Sequence, residues 1–334
     1  MQAMIIALAS AGVLAWAVYK AATGRAIRAR VLTGSGLQSE AGAAADMGRF
    51  TPARPPILCR PWDIGTGVRG YVWHAPEPRA VLLLQHGLDE YAWRYLAQYN
   101  ALIPHLLHAG VSVYAFDAWG HGLSPGTRSV FDVGRAVEDH LSARRRLRAQ
   151  PLPVFLLGHS LGGLLTAASV ARDAGDLGGV ILSSPALGLD SSAWVRAVVS
   201  AAAFLAPTLP APVPRRDVGG LTRIAERVRT ATADPMFTPR RLRMLVAASA
   251  LATASRTRER YPEWRVPTLV FHGTADTYTD PEGSREFYEA IGSADKTLHI
   301  VEGGYHELLN DTVGDEILRM VLAWLERRIP PGRV

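Results

Sequence analysis

The sequence predicts an α/β fold: a mostly parallel sheet covered by helices on both faces, with a helical cap inserted late in the chain. Three observations lead there. Short β-rich runs recur at 80–85, 111–116, 153–158, 179–184, 267–272 and 296–301, and most are nearly continuous apolar stretches of the kind found in strands buried on both sides. Stretches of helical periodicity at 92–109, 130–149 and 161–173 fill the gaps between the first four runs. The alternation then breaks between 185 and 262, a segment too long for a structureless loop in a compact domain.

The elements follow in order. No charged side chain occurs over 1–19, and nineteen helical residues span roughly 29 Å, close to the hydrocarbon thickness of a bilayer. Lys20, Arg25, Arg28 and Arg30 come immediately afterwards. A cleaved export signal would carry its positive charges before the apolar stretch, so 1–32 is expected to be a membrane anchor, with the rest of the chain on the cytoplasmic side. An exported chain, or a cytosolic one with an Ala-rich helix lying on the globule, is the alternative. A Gly-, Ala- and Pro-rich linker is expected over 33–56, and the folded domain over 57–330. Within the break at 185–262, the apolar stretches 193–206 and 242–253 read as cap helices, separated by turns at Pro207, Pro210, Pro212 and Pro214. A cap leaving the sheet there would lie over the carboxyl ends of the strands, where open α/β sheets bind ligands.

Composition excludes several classes. Of 334 residues, 48% are apolar and 20% charged, which is a globular balance and not a disordered one. The single cysteine, Cys59, rules out an internal disulfide framework and a Cys-rich zinc site, and is expected to be an inert thiol. The net charge of +6 is carried almost entirely by arginine, since Lys20 and Lys296 are the only lysines. The densest run, Arg144-Arg145-Arg146, closes a predicted helix at its carbonyl end and has no interleaved aromatic residues, so no nucleic-acid partner is expected.

The chemistry-bearing motif is Gly158-His159-Ser160-Leu161-Gly162, set between an apolar strand and a helix. Glycines at 158 and 162 leave room for a sharp strand-to-helix turn that lifts the Ser160 hydroxyl clear of the sheet. The same turn presents the Leu161 N–H, at a helix N-terminus, to a developing oxyanion. Serine needs a base oriented by an acid, and on this scaffold both lie on loops after later strands. His306 is the only histidine on a loop after the last strand. For the acid, Asp276 lies in the turn after 267–272; Asp280, the competitor, better suits the N-cap of a helix opening at Pro281. A second oxyanion donor is expected from the loop after 80–85, at the N–H of Leu88 beside Gly87, with Glu90 and Arg94 paired to hold that loop.

Taken together, these stretches resemble the monoacylglycerol lipase and lysophospholipase group of the α/β-hydrolase superfamily. The likeness rests on 86–95, 116–124, the Ser160 turn, 180–185, Asp234-Pro235, 272–276 and 302–307, and runs from about Gly70 to Leu325. It implies an α/β-hydrolase fold with the cap after the sixth strand, Ser160, Asp276 and His306 as a triad, and the N–H groups of Leu88 and Leu161 as the oxyanion hole. Substrate contacts are expected from Gly87, Glu90, Tyr91 and His159. Tyr91 stands where the family usually has histidine, and the cap is the least similar region. The expected reaction is hydrolysis of a lipid monoester, monoacylglycerol or lysophospholipid, through an acyl-enzyme, with no metal or organic cofactor and a membrane surface as partner. A general carboxylesterase, or an acyltransferase using the same acyl-enzyme, is the alternative.

Overall fold

The computed structural model describes residues 57–214, 217–237 and 241–330. The expected anchor at 1–32 and linker at 33–56 lie outside these residues. Among the described residues no helix is long and apolar enough to cross a membrane.

Among the described residues eight strands form one sheet in the order β1-β2-β4-β3-β5-β6-β7-β8: β1 Cys59–Trp62, β2 Gly70–Trp73, β3 Ala80–Gln85, β4 Val111–Phe116, β5 Val154–His159, β6 Leu177–Ser183, β7 Thr268–Gly273 and β8 Lys296–Val301. Strands β3 to β8 are parallel, and the six apolar runs of the sequence correspond to them within two residues. The antiparallel strands β1 and β2 extend the sheet beyond β4. Sequence periodicity did not find them because each has only four residues.

Alternate residues of β3 point to opposite cores, Val81 and Leu83 to one and Leu82 and Leu84 to the other. The first core is closed by α2 (Val133–Leu147) and α3 (Leu161–Arg172), the second by α1 (Leu102–His108) and the late helix α8 (Gly314–Glu326). Between β6 and β7 come α4 (Ala193–Leu205), α5 (Ala225–Ala233) and α6 (Met244–Arg258), so the cap does follow the sixth strand. Helix α7 (Pro281–Ala290) opens at Asp280, whose side chain accepts from the Glu282 N–H as its cap.

One expectation is corrected. The periodic stretch 92–109 is not one helix: a turn at Arg94–Ala97 breaks before α1, where Tyr99, Asn100 and Ala101 all take positive φ. The cause is tertiary, because the Asn310 side chain captures the Tyr99 N–H that a continuous helix would use. Arg144, the first residue of the basic run that closes α2, is an interior residue. It is buried, donating to the Ser169 hydroxyl and the Asp173 carbonyl. Cys59 is half-buried and free, and burial pushes its thiol up to about 11.

Candidate active site

Strand β5 ends at His159, and Ser160 follows with φ 56° and ψ −123°, a conformation L-residues rarely hold. The surrounding contacts require glycine. A Cβ at Gly158 would come within 2.5 Å of the Gly162 carbonyl oxygen, and one at Gly162 within 2.3 Å of the His86 carbonyl oxygen. The strained turn therefore packs directly against the loop after β3.

His306 reaches both partners expected of it. Its Nε2 lies 2.9 Å from Ser160 Oγ and its Nδ1 2.7 Å from Asp276 Oδ2. Because Nδ1 faces a carboxylate it carries the proton, which leaves Nε2 free to accept from the serine. The Ser184 hydroxyl donates to the His306 carbonyl oxygen at 2.8 Å and fixes the loop from the end of β6.

Asp276 is surrounded by donors. Its Oδ1 accepts from the N–H groups of Tyr278 (2.7 Å) and Thr279 (3.0 Å), and its Oδ2 accepts from Thr279 Oγ1 (2.8 Å) as well as His306. Buried His272 adds Nε2 at 3.1 Å. That nitrogen faces the carboxylate and, at 3.3 Å, the Thr279 carbonyl, so it must be protonated, and Nδ1 then accepts from Ser284 Oγ at 2.7 Å. Burial alone would raise the Asp276 carboxyl, but His306 and His272 outweigh it and hold the group well below the usual carboxylate range.

The oxyanion loop is pinned from both sides. The Gly87 N–H donates to Glu90 Oε1 at 2.5 Å, and the Gly87 carbonyl accepts from His86 Nδ1 at 2.7 Å, while His86 Nε2 accepts from the Ala118 N–H at 3.0 Å. In a trans peptide the following N–H points opposite to the carbonyl, so His86 sets the direction of the Leu88 N–H. A Cβ at Gly87 would lie 3.1 Å from Ser160 Cβ, so this backbone sits against the serine. Leu161 opens α3, where its N–H has no intrahelical partner.

Behind the loop, Arg94 and Glu90 pair as expected, at 2.6 Å, and Arg94 also reaches Glu307 at 3.0 Å. Tyr95 and Tyr99 donate to Glu90 at 2.9 and 2.8 Å. Burial opposes ionisation of Glu90, but Arg94 prevails and brings it down to about 2. Burial, with His306 beside it, pushes His159 down to about 4, so that ring is neutral. Its Nδ1 faces Ser183.

Above Ser160 is a cavity of about 260 Å³. Gly87, Leu88, Glu90, His159, Ser160, Leu161 and His306 line its floor, and Leu189, Leu221, Phe237, Leu242 and Val246 its apolar walls. Asp276 stands behind His306. Tyr91 is not on the wall: its hydroxyl donates to Asp234 Oδ2 in the cap at 2.8 Å. Glu90 touches the cavity, but its carboxylate is occupied by the loop. Sequence reasoning missed His272, Thr279, Glu307 and Ser184 as supports. The pairing of His272 four residues before Asp276, and of Glu307 next to His306, was the available signal.

A nucleophile-elbow serine on a mostly parallel sheet, with a histidine and an aspartate on later loops, defines a serine hydrolase of the α/β-hydrolase fold. The chain belongs to the family described as serine aminopeptidase S33 (Hydrolase_4), whose model matches residues 76–313, and its monoglyceride lipase relatives make it a carboxylic ester hydrolase. It is 31% identical to human monoglyceride lipase over 282 residues, covering 81% of this chain and 87% of that protein. Monoacylglycerol lipase of Mycolicibacterium smegmatis is 32% identical over 254 residues, covering 75% of this chain and 89% of the relative. Among solved structures, the Paleococcus ferrophilus monoacylglycerol lipase superposes with a TM-score of 0.69 at 32% identity, covering 78% of this chain and 99% of the other.

Proposed function

We propose that the protein hydrolyses monoacylglycerols to fatty acid and glycerol through a Ser160 acyl-enzyme. The observation that carries the reading is the contact chain Ser160–His306–Asp276, at 2.9 and 2.7 Å, on the floor of a cavity with apolar walls. The names of the relatives, monoglyceride and monoacylglycerol lipases, support the substrate class.

In this reading His306 Nε2 takes the Ser160 proton as Oγ attacks the ester carbonyl, and Asp276 holds the imidazole's tautomer and stabilises its charge. The tetrahedral oxyanion is received by the N–H groups of Leu88 and Leu161; losing one such donor typically costs about 10²–10³ in rate. Collapse expels the alcohol, which takes the proton from His306. Water then attacks the acyl-enzyme by the same route. Gly87 and His159 bound the space for the alcohol. Glu90 acts on substrate through the Gly87 N–H, and Tyr91 through the cap. We further propose that 1–32 anchors the chain, that 33–56 links it to the domain at 57–330, and that the cap at 185–262 faces a membrane surface, with Trp194, Val198, Leu209 and Val213 as exposed apolar contacts.

The test is a chain-length series of p-nitrophenyl esters beside 1-monoacylglycerols, with Ser160→Ala as the blank. Turnover peaking at medium or long chains, with monoacylglycerol cleaved, is expected. Cleavage of acetate and butyrate alone would make the protein a general esterase, and acyl transfer to added alcohols in preference to water would make it an acyltransferase.

A further inference from the structure

We propose that Tyr278 is a catalytic residue, its ring lying on the face of the His306 imidazole and stabilising the imidazolium that forms during acyl transfer. This rests on the reading of His306 as the base. The two rings are stacked with centroids 4.8 Å apart and planes 15° from parallel. The face of an aromatic ring is electron-rich, so a cation forming over it is stabilised, and more so where water is excluded. Tyr278 also lines the cavity next to the reacting atoms.

The residue is held in place from three sides. Its N–H donates to Asp276 Oδ1 at 2.7 Å, so one residue braces both the acid and the base. Its hydroxyl donates to the Asp217 carbonyl at 2.6 Å, at the start of the cap turn Val218–Gly220. Gly220 packs against its edge, where a Cβ would come within 3.2 Å of Cε2. Since that donor is engaged with a main-chain carbonyl, it is the ring and not the phenol proton that acts on His306.

The other groups facing His306 do not supply this stabilisation of its ring face. Asp276 and Ser160 meet the ring at its edge through Nδ1 and Nε2, and the Thr279 hydroxyl lies 3.4 Å from Nδ1. His159, tilted 49° with its centroid 4.8 Å away, is neutral. The adjacent Glu307 carboxylate is turned to Arg94, as is that of Glu90.

The experiment measures kcat and KM separately across the pH range for p-nitrophenyl acetate, an ester too short to depend on the cavity walls. It uses full-length Tyr278→Phe, Tyr278→Trp, Tyr278→Leu and His306→Ala. Phe and Trp keep the ring and are expected to stay within about threefold of wild-type kcat with the acid limb in place. Leu is expected to lower kcat about 5–30-fold with little change in KM. It should also move the acid limb to lower pH by about 0.7–1.5, because an imidazolium left unsupported loses its proton more readily. Wild-type kcat and acid limb in Leu, or equal damage in Phe, Trp and Leu, would overturn the proposal. His306→Ala separates the two layers. Activity retained there removes the base and this proposal together, whereas a silent His306→Ala beside a flat Tyr278 series removes the proposal alone.

Discussion

Glu90 and Asp139 are both buried carboxylates, and the molecule treats them in opposite ways. Glu90 receives a guanidinium, two phenols and a main-chain N–H. Asp139, in α2, has both oxygens outside hydrogen-bond geometry, with the nearest cation, Arg135 Nε, at 3.6 Å. Burial raises the Asp139 carboxyl to about 6, and the Thr66 hydroxyl and Arg135 only partly offset it; Glu90 falls to about 2. The difference is one of partners and not of depth. Glu90 holds the Gly87 N–H of the oxyanion loop, whereas the Asp139 site holds no catalytic element and leaves its charge only partly compensated.

The largest expected effect is on the satisfied side. Arg94→Met would leave Glu90 and Glu307 buried and facing each other, and is expected to cost about 3–5 kcal/mol in urea unfolding. Esterase activity should fall by about 10² as the Leu88 N–H loses its support. A variant with wild-type stability and rate would show that the network is incidental.

Asp139→Asn should act in the opposite direction, stabilising the fold by about 1–3 kcal/mol at neutral pH without changing activity. The sign follows from linkage. With its folded value raised from 3.8 to about 6, the stability contributed by Asp139 is fully present below 3.8 and lost as pH rises through 6. Glu90, lowered from 4.5 to about 2, contributes stability present above 4.5 and lost as pH falls towards 2. Unfolding free energies of wild type and Asp139→Asn between about pH 4 and 7 check the Asp139 sign, and a gap that does not widen with pH would contradict the assignment.

Smaller effects are expected in the cap, whose two parts differ in the same sense. The part from 217 to 234 is tied to the site loops by Tyr278 to Asp217, Arg223 to Asp311 and Tyr91 to Asp234, whereas α4 buries Ala203 against α6 and exposes Trp194. Tyr91→Phe is expected to cost about 1–2 kcal/mol in urea unfolding. Trp194→Ala should change stability by less than about 0.5 kcal/mol. It should slow turnover of vesicle-borne monoacylglycerol while sparing dissolved acetate ester, and equal rates on both would argue against a lipid-facing role for α4.

The sequence was most legible where local chemistry and fold agree. Strands β3 to β7 are nearly continuous apolar runs and β8 a short β-rich one, and Ser160, His306 and Asp276 were distinguishable by their positions relative to those strands. The break at Tyr99–Ala101 was not legible, because it depends on Asn310, some two hundred residues away in the chain. The same distance hid the link from Arg94 to Glu307, although Glu90–Arg94 could be read at helical spacing. Tyr91 read as a pocket residue because its loop borders the site. Its turn towards Asp234 depends on how the cap sits, which periodicity does not record. Helix α5 escaped notice because its residues are mostly exposed, with only Ala231 buried.

Whether Ser160 is a nucleophile activated by His306 is decided by covalent labelling with a fluorophosphonate, followed by peptide mass mapping, for the wild type, Ser160→Ala and His306→Ala. A single adduct on Ser160 is expected, absent in Ser160→Ala and formed far more slowly in His306→Ala, in step with loss of ester hydrolysis. Ester turnover with no adduct on Ser160, or an unchanged labelling rate without His306, would contradict it.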